Sequence, residues 1–306
     1  MTVKAYHYGR RLLVFVLAAL VLLTAQVDTG KAEIAQSPLI DAAFELLEEG
    51  NPFTARYEKL TGAEIKPLFK WGVPYYFGGT TGGSRTGWFF CAYPDYHVHK
   101  CTSGSDHFKV GKVYFYGLDC SGFARHVYRE GAGMQTLPGL SDIMLKHEMW
   151  RYHVYDHREG HRPPPYDQLK DTLQVGDLLV VKHSESKYRH IMMYIGTLKD
   201  YGYTAEEEPD LAKWLDYPLV IHCGLSPFYG KRFQKLIDEY PEKYGRCSTT
   251  DGGVAISIVG PAAEDAPKHK HVQKTDYSWF AMKDTGYQLT VIDMSDVYYF
   301  CWYRPQ

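Results

Sequence analysis

The sequence carries almost no excess charge, and this limits the classes of partner that it can attract. Its 34 Lys and Arg residues nearly balance 36 Asp and Glu residues, so the formal net charge at pH 7 is -2. Binding to nucleic acid depends on a broad basic surface that attracts phosphate groups. A nucleic-acid partner is therefore not expected. The 45% hydrophobic and 23% charged content is that of a folded globular chain.

Cysteine is scarce and irregularly spaced, with six residues in a chain of 306. A chain of this length does not depend on disulfides to fold. Cys91 and Cys101 lie close together and bracket CAYPDYHVHKC, in which His97 and His99 could complete a zinc site. The spacing matches no common structural-zinc pattern. The segment remains open to three interpretations, which are a disulfide, a metal site and two unpaired thiols.

Long hydrophobic runs are absent from the sequence, apart from one near its beginning. The run LLVFVLAALVLL, from Leu12 to Leu23, follows three basic residues and precedes the polar stretch TAQVDTGKAE. This order is typical of a secretory signal, and the run is shorter than the roughly 20 apolar residues that a membrane-spanning helix needs. We therefore expect residues 1–32 to be a signal peptide or a retained N-terminal anchor. Ala25 and Ala32 each offer a small residue for cleavage.

Hydrophobic spacing divides the rest of the chain into a helical part and a strand-rich part. Ser37 begins the first of two predicted helices, so residues 33–70 are expected to form a helical lead-in. The segment GLDCSGFARHVYREGAG predicts a further helix that has Asp119 as its N-cap, Cys120 as its first residue and Gly131 at its end. The strand-like runs that follow are LQVGDLLVV, HIMMYIG, YPLVIHCG, GGVAISIVG and YQLTVIDM. This order indicates an α+β domain with an antiparallel sheet.

Cys120 has a suitable position for a nucleophile. The unpaired N–H groups and the dipole of a helix N-terminus favour a thiolate, and the same groups could hold the oxyanion of a tetrahedral intermediate. Gly122 keeps the approach to the sulfur open. Considered alone, however, Cys120 would be a small buried residue at the start of a helix, because most cysteines outside disulfides are buried and inert.

Four motifs in a fixed order favour the functional interpretation, namely GVPYYFGG, GLDCSGFARHVY, LQVGDLLVV and HIMMYIG. In this order, between Trp71 and Gly224, the sequence resembles the NlpC/p-sixty family of papain-like cell-wall peptidases. The resemblance implies a papain-like α+β fold in which the helix bearing the nucleophile packs on an antiparallel sheet. It places the catalytic domain at residues 71–306, with insertions at about 80–116 and 197–218.

The resemblance also implies roles for individual residues. Cys120 matches the nucleophile, His190 the base, and Tyr75 the tyrosine whose hydroxyl helps to hold the oxyanion. His222 in LVIHCG matches the polar group that orients the base. Because the insertion before it lengthens a connection that is usually short, a partly buried strand histidine is the alternative for His222. Asp119 matches the acidic residue before the nucleophile, and we interpret it as a helix cap.

His190 is also supported by its own surroundings, because HIMMYIG places it on one strand face with Met192 and Tyr194. The alternative is a histidine at a strand start that makes an ordinary hydrogen bond. His183, seven residues earlier, is expected in a loop.

Ser121 and Trp88 are the candidate substrate contacts. Trp88 belongs to an aromatic stretch in the first insertion, which should border the cleft. Such stretches are more often local packing than a ligand platform.

The family resemblance implies a secreted or envelope-bound bacterial cysteine peptidase that hydrolyses peptidoglycan stem peptides, commonly between γ-D-glutamate and a diamino acid. It implies no metal and no cofactor, and contact with a membrane only through an uncleaved N-terminal segment. The same thiolate and imidazole could serve an amidase or an acyltransferase. A catalytically silent wall-binding module is an alternative from another class.

Overall fold

A large antiparallel sheet lies at the centre of the computed structural model. Residues 34–306 form one compact unit, and the expected signal segment 1–32 and Trp88 lie outside the described residues. The structure describes residues 34–79, 95–102, 104, 108–145, 153–156, 166–183, 189–224, 232–248, 252–261, 277–281, 290–292 and 297–306.

Short helices lie between the strands in the second half of the chain, where the sequence predicts a run of strands. In chain order the helices are α1 (Pro38–Phe44), α2 (Pro52–Thr61), α3 (Cys120–Ala132), α4 (Leu140–Leu145), α5 (Tyr166–Thr172), a 3-10 helix (Pro209–Trp214), α6 (Arg232–Glu239) and α7 (Pro241–Tyr244). The strands are β1 (Val98–Lys100), β2 (Val113–Phe115), β3 (His153–Asp156), β4 (Leu178–His183), β5 (Arg189–Thr197), β6 (Pro218–Gly224), β7 (Cys247–Ser248), β8 (Gly253–Pro261), β9 (Tyr277–Ala281), β10 (Thr290–Ile292) and β11 (Val297–Tyr303).

Within the described residues, eight strands form the main sheet, in the order β10-β9-β8-β6-β5-β4-β11-β3. Every neighbouring pair in this sheet is antiparallel. A smaller sheet has the order β1-β2-β7. The combination of helices with a large antiparallel sheet confirms the predicted α+β class. No helix in these described segments is long and apolar enough to cross a bilayer.

The central strands are buried on both faces. Alternate residues of β5 enter two different clusters: Ile191 and Met193 pack in the cluster that includes Phe123 of α3, whereas Met192 and Tyr194 pack in a second cluster. The first cluster joins α3 to β5 and β6. Because each fully buried aliphatic or aromatic side chain stabilises the fold by about 1.5–3 kcal/mol, this packing holds α3 firmly on the sheet.

Helix α3 extends past the glycine at which the sequence predicts its end. Gly131, the expected end, lies inside α3, and Gly133 adopts the left-handed conformation with φ 65° that terminates it. A Cβ at position 131 would lie 2.5 Å from the carbonyl oxygen of Pro38. Gly131 therefore permits α1 and α3 to pack closely, and this role depends on tertiary structure that local spacing does not reveal.

The two N-terminal helices pack against the second predicted insertion. Tyr201 lies with its ring centroid 6.0 Å from that of Phe44 and 5.6 Å from that of Phe53. The hydroxyl of Tyr57 donates to Asp41 at 2.6 Å. The inserted segment thus covers apolar surface of α1 and α2, which gives it a structural role.

The C-terminus is joined to the sheet by one charged pair. Arg304 donates from Nε and Nη2 to the two carboxylate oxygens of Asp177, each at 2.7 Å. Asp177 is 1% exposed and also accepts from the backbone N–H of Gln174. Burying a carboxylate without such donors would lower the free energy of unfolding, because the charge would lose its interactions with water and gain none in return.

We predict that Arg304→Met lowers the free energy of unfolding by about 3 kcal/mol, because it leaves the carboxylate of Asp177 buried without its charge partner. Urea denaturation followed by circular dichroism measures the change. The control is Lys199→Met, which removes an exposed ion pair with Asp216 and should cost less than about 1 kcal/mol. Equal losses in the two variants would contradict the prediction.

Candidate active site

Cys120 is the first residue of α3, and the residue before it shapes the turn that presents the sulfur. Asp119 has extended backbone angles and caps the helix, accepting from the N–H of Gly122 at 2.6 Å and from the hydroxyl of Ser121 at 2.8 Å. The carboxylate of Asp119 is therefore hydrogen-bonded within the first turn of α3, and so is the hydroxyl of Ser121. The role of Ser121 as a substrate contact stays a prediction.

The thiol of Cys120 does not ionise easily by itself. Burial, reinforced by the charge of Asp119, raises the pKa of Cys120 to about 12, although the N–H groups of Ile191, Ser121 and Cys120 favour the thiolate. The loss of water around the sulfur outweighs these dipoles. Placement at a helix N-terminus is therefore not enough to form the thiolate, contrary to the expectation from the sequence.

The position of the sulfur relative to the main sheet is set by β5. The backbone N–H of Ile191 bonds to the sulfur of Cys120, and Ile191 directly follows His190. The helix start and the beginning of β5 therefore meet at this point. This contact places Cys120 beside the backbone of Ile191, the residue that follows His190, although 70 positions separate Cys120 from His190 in the sequence.

His190 belongs to a chain of hydrogen bonds that crosses three adjacent strands. Its Nε2 lies 3.0 Å from Nδ1 of His222, and Nε2 of His222 lies 2.8 Å from Oγ of Ser257. The two imidazole rings are perpendicular, with an interplanar angle of 89° and centroids 4.8 Å apart. Since β5, β6 and β8 are consecutive in the sheet, each ring is held on a rigid element.

His222 is buried with 4% of its surface exposed. Burial lowers the pKa of His222 to about 4, so the ring is neutral near pH 7. A neutral imidazole carries one proton and can accept a hydrogen bond at its other nitrogen. His222 can therefore hold the ring of His190 without competing with it for positive charge.

Two further residues belong to the site, and the sequence did not reveal them. One is Ser257, which is 1% exposed and bonds to His222. The other is Gly224, where a Cβ would lie 3.0 Å from Cε1 of His190 and 3.3 Å from Nδ1 of His222. The absence of a side chain at position 224 leaves the two rings the space that their hydrogen bond requires. A lone polar residue in the apolar run GGVAISIVG is the available signal for Ser257.

The backbone of Tyr75 is held near the start of α3. Its N–H donates to the carbonyl of Gly252 at 2.9 Å, and the loop that carries it pairs with Leu118, two residues before Cys120. A Cβ at Gly117 would overlap the carbonyl of Pro74, so glycine is needed for this approach. The loop and the start of α3 therefore form one unit.

The first predicted insertion contacts this unit in its described part. The ring of Phe108 lies 6.2 Å from that of Tyr75 and 5.1 Å from that of Tyr76, measured between centroids. Trp88, the second candidate substrate contact, lies outside the described residues.

The remaining histidines have other settings. His183 is the last residue of β4, so its expected place in a loop is wrong. The reason is that β4 pairs with β11 as far as His183. His99 stands edge-on to Tyr76, with centroids 5.7 Å apart. In the part of the chain that the structure describes, which excludes Cys91, no group of three or more His, Cys, Asp or Glu residues could hold a metal ion.

Two buried histidines, His126 and His222, should make the stability of the fold depend on pH. Burial lowers the pKa of both His126 and His222 from 6.5 to about 4. At pH values between 4 and 6.5, these two histidines are protonated in the unfolded chain but stay neutral in the folded chain. The free energy of unfolding should therefore fall as the pH falls from 6.5 to 4, by up to about 1.4 kcal/mol per pH unit for each histidine.

Urea denaturation over this pH range tests the sign, with His126→Gln as the comparison. The variant should lose part of the pH dependence, because glutamine does not titrate. An unchanged slope in the variant would show that His126 does not contribute.

Comparison with known proteins agrees with the motifs. The family model described as NlpC/P60 family matches residues 72–201, a range that contains Tyr75, Cys120 and His190 and ends before His222. No match was found among curated proteins or solved structures. Members of this family are generally cysteine peptidases or amidases that act on peptidoglycan. The resemblance is confirmed over residues 72–201, which the NlpC/P60 family model matches.

Proposed function

We propose that this protein is an exported cysteine endopeptidase that hydrolyses peptidoglycan stem peptides. Cys120 would be its nucleophile, His190 its base and His222 the residue that orients the base. The observation that carries the proposal is the 3.0 Å contact between Nε2 of His190 and Nδ1 of His222. In the proposed mechanism, Nδ1 of His190 is the ring nitrogen that takes the proton from the thiol.

The buried thiol makes the base essential to this mechanism. With the pKa of Cys120 raised to about 12, the thiolate forms when the S–H proton passes to Nδ1 of His190. The resulting imidazolium donates from Nε2 to Nδ1 of neutral His222. This bond stabilises the positive charge that accompanies the thiolate.

Attack then follows the usual course of acyl transfer. The sulfur bonds to the carbonyl carbon of the substrate, and the oxygen becomes an oxyanion. When the C–N bond breaks, the imidazolium of His190 gives its proton to the leaving amine. Neutral His190 then takes a proton from a water molecule as its oxygen bonds to the carbonyl carbon of the thioester. The C–S bond breaks, and the thiolate of Cys120 regains the proton from His190. The products are a carboxylic acid and the amine.

The start of α3 supports stabilisation of the oxyanion. Because Asp119 accepts from the N–H groups of Ser121 and Gly122, the backbone N–H of Cys120 is the helix-start donor that we propose for the oxyanion. Tyr75 is attached to the same unit through the pairing of its loop with Leu118. Its hydroxyl is the second donor in the proposed mechanism.

The bond proposed for cleavage, between γ-D-glutamate and a diamino acid, comes from the family resemblance. An amidase or an acyltransferase would form the same thioester and would differ in the group that is released or in the acceptor. Defined muropeptides separate these outcomes, because mass spectrometry identifies each product. Release of the stem peptide as one piece, or its attachment to an amine, would replace the endopeptidase proposal.

Export is part of the proposal, with the protein secreted or held at the bacterial cell envelope. The basic, apolar and polar order of residues 1–32 supports it. Sequencing the N-terminus of protein recovered from the envelope and the medium tests this point. A chain that remains in the cytoplasm would contradict it.

We predict that Cys120→Ala abolishes muropeptide cleavage, because alanine has no atom that can form the thioester. The matched control is Cys247→Ala, which removes a partly exposed cysteine from the small sheet and should leave turnover near that of the original protein. Circular dichroism establishes that both variants fold. Turnover by the Cys120 variant at the unmodified rate would exclude Cys120 as the nucleophile.

A second prediction separates orientation from proton uptake. His222→Asn should keep kcat within about tenfold of the original value, since the amide oxygen can accept from Nε2 of His190, whereas His222→Ala should lower kcat about 100-fold or more. Steady-state kinetics with a defined muropeptide measures both. Equal kcat values in the two variants would mean that another group orients His190.

A further inference from the structure

Ser257 is an unusual residue for its position. It lies in β8, whose sequence GVAISIVGP is buried from Gly253 to Gly260. Burying a hydroxyl among apolar side chains is unfavourable unless the group is hydrogen-bonded, and alanine or valine would suit such a strand better. The hydroxyl meets Nε2 of His222 at 2.8 Å. The hydroxyl of Ser257 therefore forms its hydrogen bond with His222, the ring that is bonded to His190.

The strand register explains how Ser257 reaches this ring. In the pairing of β6 with β8, His222 lies opposite Ala255, and Ser257 lies opposite Val220. Ser257 is therefore a diagonal neighbour of His222 on the same face of the sheet. On the other side, His190 of β5 bonds to His222 from the adjacent strand. The three side chains form a line across three strands.

The direction of the hydrogen bonds along this line has chemical consequences. If the proton of neutral His222 is on Nε2, it is donated to Ser257, and Nδ1 can accept from Nε2–H of His190. His190 then has a lone pair at Nδ1 for the thiol proton. If the proton of His222 is instead on Nδ1, it is donated to Nε2 of His190. Neutral His190 then carries its own proton on Nδ1 and cannot act as the base.

We propose that Ser257 is a positioning residue that selects the tautomer of His222 by accepting the proton on Nε2. Ser257 acts through two histidines and touches neither the substrate nor the nucleophile in this scheme. A serine hydroxyl is suited to the role because its oxygen accepts while its own hydrogen can rotate to another acceptor. The role rests on the proposed function, since it concerns the ability of His190 to accept a proton.

The test uses Ser257→Ala and Ser257→Thr in the full chain. Alanine removes the acceptor with a minimal change of volume, and threonine keeps a hydroxyl and suits a strand. Ile258→Val, a neighbouring change in the apolar core, controls for a small loss of packing. Long-range proton–nitrogen NMR correlations of the imidazole rings show which nitrogen carries the proton, and kinetics with a muropeptide gives kcat and KM.

We expect the proton of His222 to be on Nε2 in the original protein, in Ser257→Thr and in Ile258→Val. In Ser257→Ala it should shift towards Nδ1, and kcat should fall about 10- to 100-fold with little change in KM. If Ser257→Ala keeps both the Nε2 proton and the original kcat, Ser257 has no positioning role. A loss of kcat that Ser257→Thr and Ile258→Val share to the same degree would show a packing effect instead and would overturn the proposal.

The NMR measurement needs no substrate, so it separates this role from the proposed function. A protein that cleaves no muropeptide, yet loses the Nε2 proton of His222 only in Ser257→Ala, would refute the proposed function and retain the role of Ser257. Muropeptide cleavage with the proton of His222 on Nε2 in every variant would support the proposed function and refute the role of Ser257.

Discussion

The hydrogen bond between His190 and His222 is the interaction on which the site depends. It joins two neighbouring strands at a donor–acceptor distance of 3.0 Å and occupies the Nε2 atom of His190. Three features support it: the missing side chain at Gly224, the burial that keeps His222 neutral, and the hydroxyl of Ser257 behind His222. In the proposed mechanism, Nδ1 of His190 is the ring nitrogen that transfers the proton.

Burial has opposite effects on the two halves of the site. It raises the pKa of Cys120 and so disfavours the thiolate, but it also keeps His222 uncharged, which lets that ring accept a bond from a protonated His190. The two effects are compatible if the charges appear together, as a thiolate beside an imidazolium. Exclusion of water then strengthens the attraction between the charges. In the proposed mechanism, Cys120 is therefore reactive only in the presence of His190.

The sequence could predict those parts of the site that depend on local order. The cap by Asp119 and the helix start at Cys120 follow from a short motif, and the strand of His190 follows from its apolar run. Ser257 could not be found in this way, because its contact with His222 spans 35 positions and depends on the register of β6 with β8. Gly131 was misread for a similar reason, since its role is to admit another helix.

The pH dependence of Cys120 alkylation by iodoacetamide, in the original protein and in His190→Ala, tests most directly whether the base creates the nucleophile. We expect rapid alkylation near neutral pH in the original protein. In His190→Ala we expect slow alkylation that rises only at strongly alkaline pH, because burial raises the pKa of the thiol to about 12. The same pH dependence in both proteins would show that Cys120 ionises without His190 and would contradict the role of His190 as its base.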